Sequence, residues 1–131
     1  MKSRSILVVD DDVLLRRVIE TGLRGQGHNV IGTAGREEVL ALLQSKQFDL
    51  VITDVLMPDI EGTEVIKAVK THQPDAMVLA MSGGDTKVTS ELCLLIAREM
   101  GAGVPLAKPF EIETLLAAVD QALTRRREAA D

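Results

Sequence analysis

The chain has 131 residues, one domain's worth of sequence, and 46% of them are apolar, which places it among globular and not disordered chains. Its formal charge is -5, which argues against a general binder of nucleic acid or anionic membrane. Aromatics make up 2%, with no Trp and no Tyr, so the core must be aliphatic and stacking on single-stranded nucleic acid is nearly excluded.

The N-terminus, MKSRSILVVDDD, meets three acids after a short apolar run, so it reads as no signal peptide. No apolar run approaches the roughly 20 residues of a membrane-spanning helix. The single cysteine, Cys93, cannot close an internal disulfide, and the cytoplasm is the default location. Cys93 reads as a packed residue rather than a reactive one.

Taken in order, short apolar runs alternate with helical patterns. SILVV (5–9) has the continuous apolar character of a strand buried on both faces. Leu15, Val18, Ile19 and Leu23 follow at helical spacing, and GQGH ends that helix. NVIGT (29–33) is a second strand, and Val39, Leu40 and Leu43 mark a second helix. DLVIT (49–53) is a third strand, followed by a helix carrying Val65, Ile66 and Val69 that stops before Pro74. AMVLAMS (76–82) is a fourth strand, and Val88, Leu92, Leu95 and Ile96 form a fourth helical face. VPLA (104–107) is a short fifth strand, and Leu115, Leu116, Val119 and Leu123 mark the last helix. Its end, with Arg125, Arg126 and Arg127, reads as a solvated helix terminus whose cations suit the negative end of the dipole. The order implies an α/β fold, a doubly wound five-stranded parallel sheet with right-handed crossovers, (βα)5, and a single domain over 1–131.

Ligands of such sheets bind beyond the carboxyl ends of the strands. The first strand delivers Asp10, Asp11 and Asp12 there, the third Asp54, the fourth Ser82 with Gly83 and Gly84, and the fifth Lys108 with Pro109. Each is weak alone: Asp12 reads as the N-cap of the first helix, and Ser-Gly-Gly is more often a turn. Together they bring carboxylates, a hydroxyl and an ammonium to one edge. Clustered acids raise one another's pKa, and a hard divalent cation relieves that. Oxygen ligands without a His or Cys cluster suggest Mg2+.

ILVVDDD, DLVITDVLMPDIEG, MSGG and LAKPF resemble, in order and over nearly the whole chain, the receiver domain of two-component response regulators. The resemblance implies a flavodoxin-like strand order 2-1-3-4-5 and a phosphoryl-accepting switch without an attached output domain, not an enzyme in its own right. Asp54 matches the acceptor of a phosphoryl group from a histidine kinase or phosphotransfer protein. Asp10 and Asp11 match the acidic pair that holds Mg2+ with Asp54, and the Leu56 carbonyl matches the remaining protein ligand. Ser82 and Lys108 match the groups that contact phosphoryl oxygens, and Lys108–Pro109 resembles a family cis peptide. Pro58 and Gly62 match the residues that shape the loop after the acceptor. Leu14, Leu15, Val18, Pro109 and Phe110 match the kinase-docking face, with Leu15 and Val18 read as core-facing. The downstream target implied is another protein, with no direct contact to nucleic acid or membrane.

The chain departs from the family at Pro105, where many receivers carry the aromatic that swings inward on activation, and the segment from Ser82 to Lys108 is longer than usual. Readout through 83–104 is the resulting expectation. Leu56 is bulky where it could obstruct an attacking water. Two other readings stand beside the switch: a receiver-like binding module that is never phosphorylated, and a haloacid-dehalogenase-like phosphatase using Asp10 and Asp12.

Overall fold

A computed structural model of the chain describes residues 4–54, 62–82 and 106–130. Leu56, Pro58, Pro105, Cys93 and the helix predicted around 88–96 lie outside the described residues, as does the side chain of Ser82.

Strand β1 is Ser5–Val9, followed by helix α1, Val13–Gly25, strand β2, Asn29–Thr33, and helix α2, Arg36–Ser45. Strand β3 is Leu50–Asp54, helix α3 is Gly62–His72, and strand β4 is Met77–Ser82. A two-residue strand β5, Leu106–Ala107, precedes helix α4, Ile112–Ala130. All pairings are parallel, and the strands lie in the order β2-β1-β3-β4, with β5 beside β4 through Met81 and Ser82.

The alternation of strand side chains produces two cores. Leu7, Val9, Val51, Val78 and Ala80 meet Val39 and Leu43 of α2 and Val65, Ile66 and Val69 of α3 on one face. Ile6, Val8, Leu50, Ile52, Leu79, Met81 and Leu106 meet Ile19 and Leu23 of α1 and Leu115, Val119, Ala122 and Leu123 of α4 on the other. A strand covered on both sides must be apolar at every position, which is why these segments read as continuous apolar runs. Gly22 lets α1 approach α4: a Cβ there would lie 3.0 Å from Ile112 Cδ1.

Helix α1 starts on Asp12, whose carboxylate accepts the Leu15 N–H at 3.1 Å, as a good N-cap should. It ends at a glycine in the left-handed region, Gly27 at φ +90°, with the Gly27 N–H bonded to the Arg24 carbonyl at 2.9 Å and the His28 N–H to that of Leu23 at 3.2 Å. Val18 departs from its expected place in the core and is 53% exposed. The buried stripe of α1 runs through Leu15, Ile19 and Leu23, one step in four, and Val18 falls about 100° away from Ile19 around the axis.

At the amino end of the sheet, Gln73 joins three elements. Its side-chain oxygen accepts the Phe48 N–H at 2.7 Å, and its amide donates to the carbonyls of Leu43, at 2.8 Å, and Lys46. Gln73 is 4% exposed, so its polar atoms depend on these partners.

Candidate functional site

Strand register decides which side chains meet at the carboxyl edge. Val8 pairs with Ile52 across β1 and β3, so Asp10 and Asp54, each two residues further on, share one row and one face. Asp54 pairs with Met81, and Met81 with Leu106, so Lys108, two past Leu106, belongs to that same face. This is the α1/α4 side of the sheet, where the apolar layer gives way to charge.

Lys108 bridges the two acids. Its ammonium lies 2.8 Å from Asp10 Oδ2 and 2.7 Å from Asp54 Oδ2. Asp10 is wholly buried, Asp54 is 4% exposed, and the Lys108 side chain is 18% exposed. Burial pulls the Lys108 ammonium down, but its hydrogen bonds to Asp10 and Asp54 outweigh that, and its pKa ends above the ordinary value. The Lys108–Pro109 peptide is cis, as the resemblance implies.

Asp10 is satisfied at every polar atom. Its N–H donates to the Thr33 carbonyl at 3.1 Å, and its carbonyl accepts from Arg16 Nη1 at 2.8 Å. Its Oδ1 accepts the Asp12 N–H at 2.9 Å, and its Oδ2 faces Lys108. Asp11 is exposed instead. Partial desolvation, reinforced by the charge of Asp10 next door, holds its carboxyl above the ordinary carboxylate value.

Asp10, Asp11 and Asp54 each offer a carboxylate oxygen within 4.8 Å of the others. Hard oxygens from acids that repel one another fit Mg2+ or a similar cation, and no softer ligand belongs to the set. Asp12 stands apart from that set as the helix cap. His28 lies at the other end of the sheet, where its Nδ1 accepts the Arg4 N–H at 3.2 Å, so it is no part of this site.

Of the docking candidates, Leu14 is 76% exposed and stands beside exposed Val13 and Val18, while Leu15 packs on the core. Pro109 is exposed, and Phe110 is partly buried against the α1/α4 core. Val13 and the Arg16–Asp10 bond were missed in the sequence. Arg16 lies one helical turn after the Asp12 cap, on the side facing back to β1, but a basic residue in a first turn is ordinarily read as solvated.

A parallel α/β sheet that gathers buried Asp10 and Asp54, exposed Asp11 and a bridging lysine at its carboxyl edge defines a receiver-type fold and site. The model of the response regulator receiver domain family matches residues 6–120, and the chain belongs to that family of two-component signalling proteins. It is 37% identical over 123 residues to the DNA-binding transcriptional regulator NtrC of Azospirillum brasilense, covering 94% of this chain and 25% of that protein. It is 31% identical over 132 residues to the probable transcriptional regulator ycf27 of Porphyridium aerugineum, covering 99% of this chain and 52% of that protein. Among solved structures, a CheY-like receiver domain protein from Methanospirillum hungatei JF-1 superimposes with a TM-score of 0.84 at 27% identity, covering 98% and 99% of the two chains. The chemotaxis response regulator CheY4 of Vibrio cholerae gives 0.78 at 29% identity, covering 92% of this chain and 99% of that one. The chain thus spans between about a quarter and a half of these two curated relatives. No helix among the described residues is long and apolar enough to cross a membrane.

Proposed function

We propose that this domain is a phosphoryl-accepting switch in which Asp54 takes a phosphoryl group from the phosphohistidine of a sensor kinase or phosphotransfer protein. The observation that carries this is the Lys108 bridge, 2.7 Å from Asp54 and 2.8 Å from Asp10, with Asp11 completing the acidic set. A carboxylate attacks an anionic phosphoryl group only where charge is neutralised and the partners are positioned. An Asp54 oxygen forms the new O–P bond, and the P–N bond to the donor histidine breaks with its electron pair left on the imidazole nitrogen. Lys108 is placed to follow the charge from carboxylate to phosphoryl oxygen, because its long stem reaches both Asp10 and Asp54.

Asp11, Asp10 and Asp54 would hold Mg2+, which would supply a second positive charge at the transferring group. Asp11 would offer the ion an exposed carboxylate, while both Asp10 oxygens already accept hydrogen bonds. Ser82 and the Leu56 carbonyl complete the proposed set. We read the full architecture as (βα)5 in the order 2-1-3-4-5. Val13, Leu14 and Val18, exposed apolar residues beside the acidic loop, are the surface for the donor's helices. The acceptor is consumed in each event, so the domain acts as a switch on a downstream protein and not as a turnover enzyme.

Acetyl phosphate with Mg2+, followed by borohydride reduction and peptide mapping, tests the acceptor. Reduction of an aspartyl phosphate leaves homoserine, expected at position 54 and lost in Asp54→Asn. Labelling at Asp10 in place of Asp54 would instead support the phosphatase reading.

A further inference from the structure

We infer that Arg16, steadied by Glu20 over the bare backbone of Gly32, is a positioning residue that sets the Asp10–Asp11 peptide for cation binding. The inference rests on the reading above that Asp10, Asp11 and Asp54 hold Mg2+.

The Asp10 carbonyl accepts a 2.8 Å hydrogen bond from Arg16 Nη1. The peptide that begins with this carbonyl carries Asp11. Fixing its plane therefore fixes where the exposed Asp11 carboxylate projects, whereas Asp10 itself is held by Thr33, Asp12 and Lys108. Arg16 has its own support. Its Nε lies 3.9 Å from Glu20 Oε2, and Arg24 Nη2 approaches Glu20 Oε1 at 3.4 Å from the next turn. Arg24 Nη2 also donates to the Val30 carbonyl at 3.0 Å, which ties the group to β2.

The Glu20 side chain is only 14% exposed because it lies flat against β2 at Gly32. A Cβ at Gly32 would stand 2.7 Å from Glu20 Cδ and 2.8 Å from each carboxylate oxygen. Only a glycine leaves room for that carboxylate. Strand β2 thus holds Asp10 twice, directly at the N–H through Thr33, and at the carbonyl through Glu20 and Arg16. Groups that orient a metal-binding segment without touching the ion commonly change affinity by about 10- to 100-fold when removed.

Mg2+ titration calorimetry on the full chain tests this, with Arg16→Met, Arg16→Lys, Gly32→Ala and the Arg16→Met/Gly32→Ala double variant. Arg16→Met is expected to weaken Mg2+ about tenfold. Arg16→Lys, which keeps a donor for the Asp10 carbonyl, is expected to recover part of that. Gly32→Ala displaces Glu20 and is expected to weaken binding in the same direction. The double variant is expected to equal Arg16→Met alone, because Gly32 acts only through Arg16. Unchanged affinity in Arg16→Met, or losses that add in the double variant, would overturn the inference. If Arg16→Met does not fold, Glu20→Gln carries the same comparison.

Hydrogen exchange without Mg2+ supplies a second readout at the Asp11 and Asp12 amides. Arg16→Met is expected to speed it, with the amides of β3 unchanged. A wild type that binds no Mg2+ would defeat the proposed function, and exchange would then judge the brace alone: unaltered rates at both amides would overturn it.

Discussion

The ammonium of Lys108 stands 2.7 Å from an Asp54 oxygen although 54 residues separate the two in the chain. The contact exists because β3, β4 and β5 lie side by side in register, with Asp54, Met81 and Leu106 in one row. One cation on two largely buried acids, Asp54 and Asp10, makes the site an electrostatic unit whose parts respond together.

Lys108→Met leaves those two acids facing each other without their counter-charge. The expected loss of folding stability is about 1–3 kcal/mol in Mg2+-free buffer. Millimolar Mg2+ should restore part of it by neutralising the same carboxylates. Urea melts followed by far-ultraviolet circular dichroism measure this, since the chain has no Trp or Tyr to report. Equal losses with and without Mg2+ would argue that the lysine and the cation do not share those acids. The raised Lys108 pKa also sets a direction. Its stabilisation is complete below the unfolded value of about 10.4 and is lost as pH rises through the higher folded value.

His28 contributes to the acid limb of the stability profile. Burial first, and then the charge of Arg4, lower its pKa, with Asp120 and Asp49 pulling the other way. The folded state therefore favours neutral imidazole, whose Nδ1 accepts the Arg4 N–H. The contribution is full above the unfolded pKa of about 6.5 and is lost as pH falls through the lower folded value. His28→Gln keeps an acceptor and does not titrate, so its stability should vary less with pH across that window. A variant with the wild-type slope would place the effect elsewhere.

The strands, their parallel pairing and the residues at their carboxyl ends were legible because a doubly covered strand must be apolar throughout and then stop at something polar, and strands that alternate with helices pair in parallel, whereas the strand order came from the family resemblance. The common face of Asp10, Asp54 and Lys108 was not, because it depends on register between strands far apart in the chain. Val18 was misplaced because an apolar residue next to the buried stripe has the same periodicity as one on it. Gln73 and Arg16 carried no signal at all: their importance lies in backbone groups of other elements that only the fold brings near.

Gln73→Leu keeps the volume and removes the bonds. It strands the buried Phe48 N–H and leaves the carbonyls of Leu43 and Lys46 without this donor. The expected cost is about 2–3 kcal/mol in chemical denaturation. Mg2+ affinity should stay at the wild-type value, because this clip lies at the opposite end of the sheet from Asp54. A change in affinity of similar size would show the two ends to be coupled.

Gly27→Ala should cost about 1–2 kcal/mol, since at φ +90° a Cβ crowds the residue's own backbone, although it meets nothing else within 4 Å. Thermal melts compare it with Gly25→Ala, where a Cβ meets nothing within 4 Å and no positive φ is required. Equal effects at the two glycines would mean that the backbone of the turn relaxes.

Intact mass after incubation with acetyl phosphate is the most direct test of the central claim. Wild type and Asp54→Asn are compared with Mg2+ and with a chelator. One added phosphoryl group is expected in the wild type with Mg2+, and none in the variant or under chelation. An adduct of equal yield in Asp54→Asn, or no adduct in a wild type shown to bind Mg2+, would contradict it.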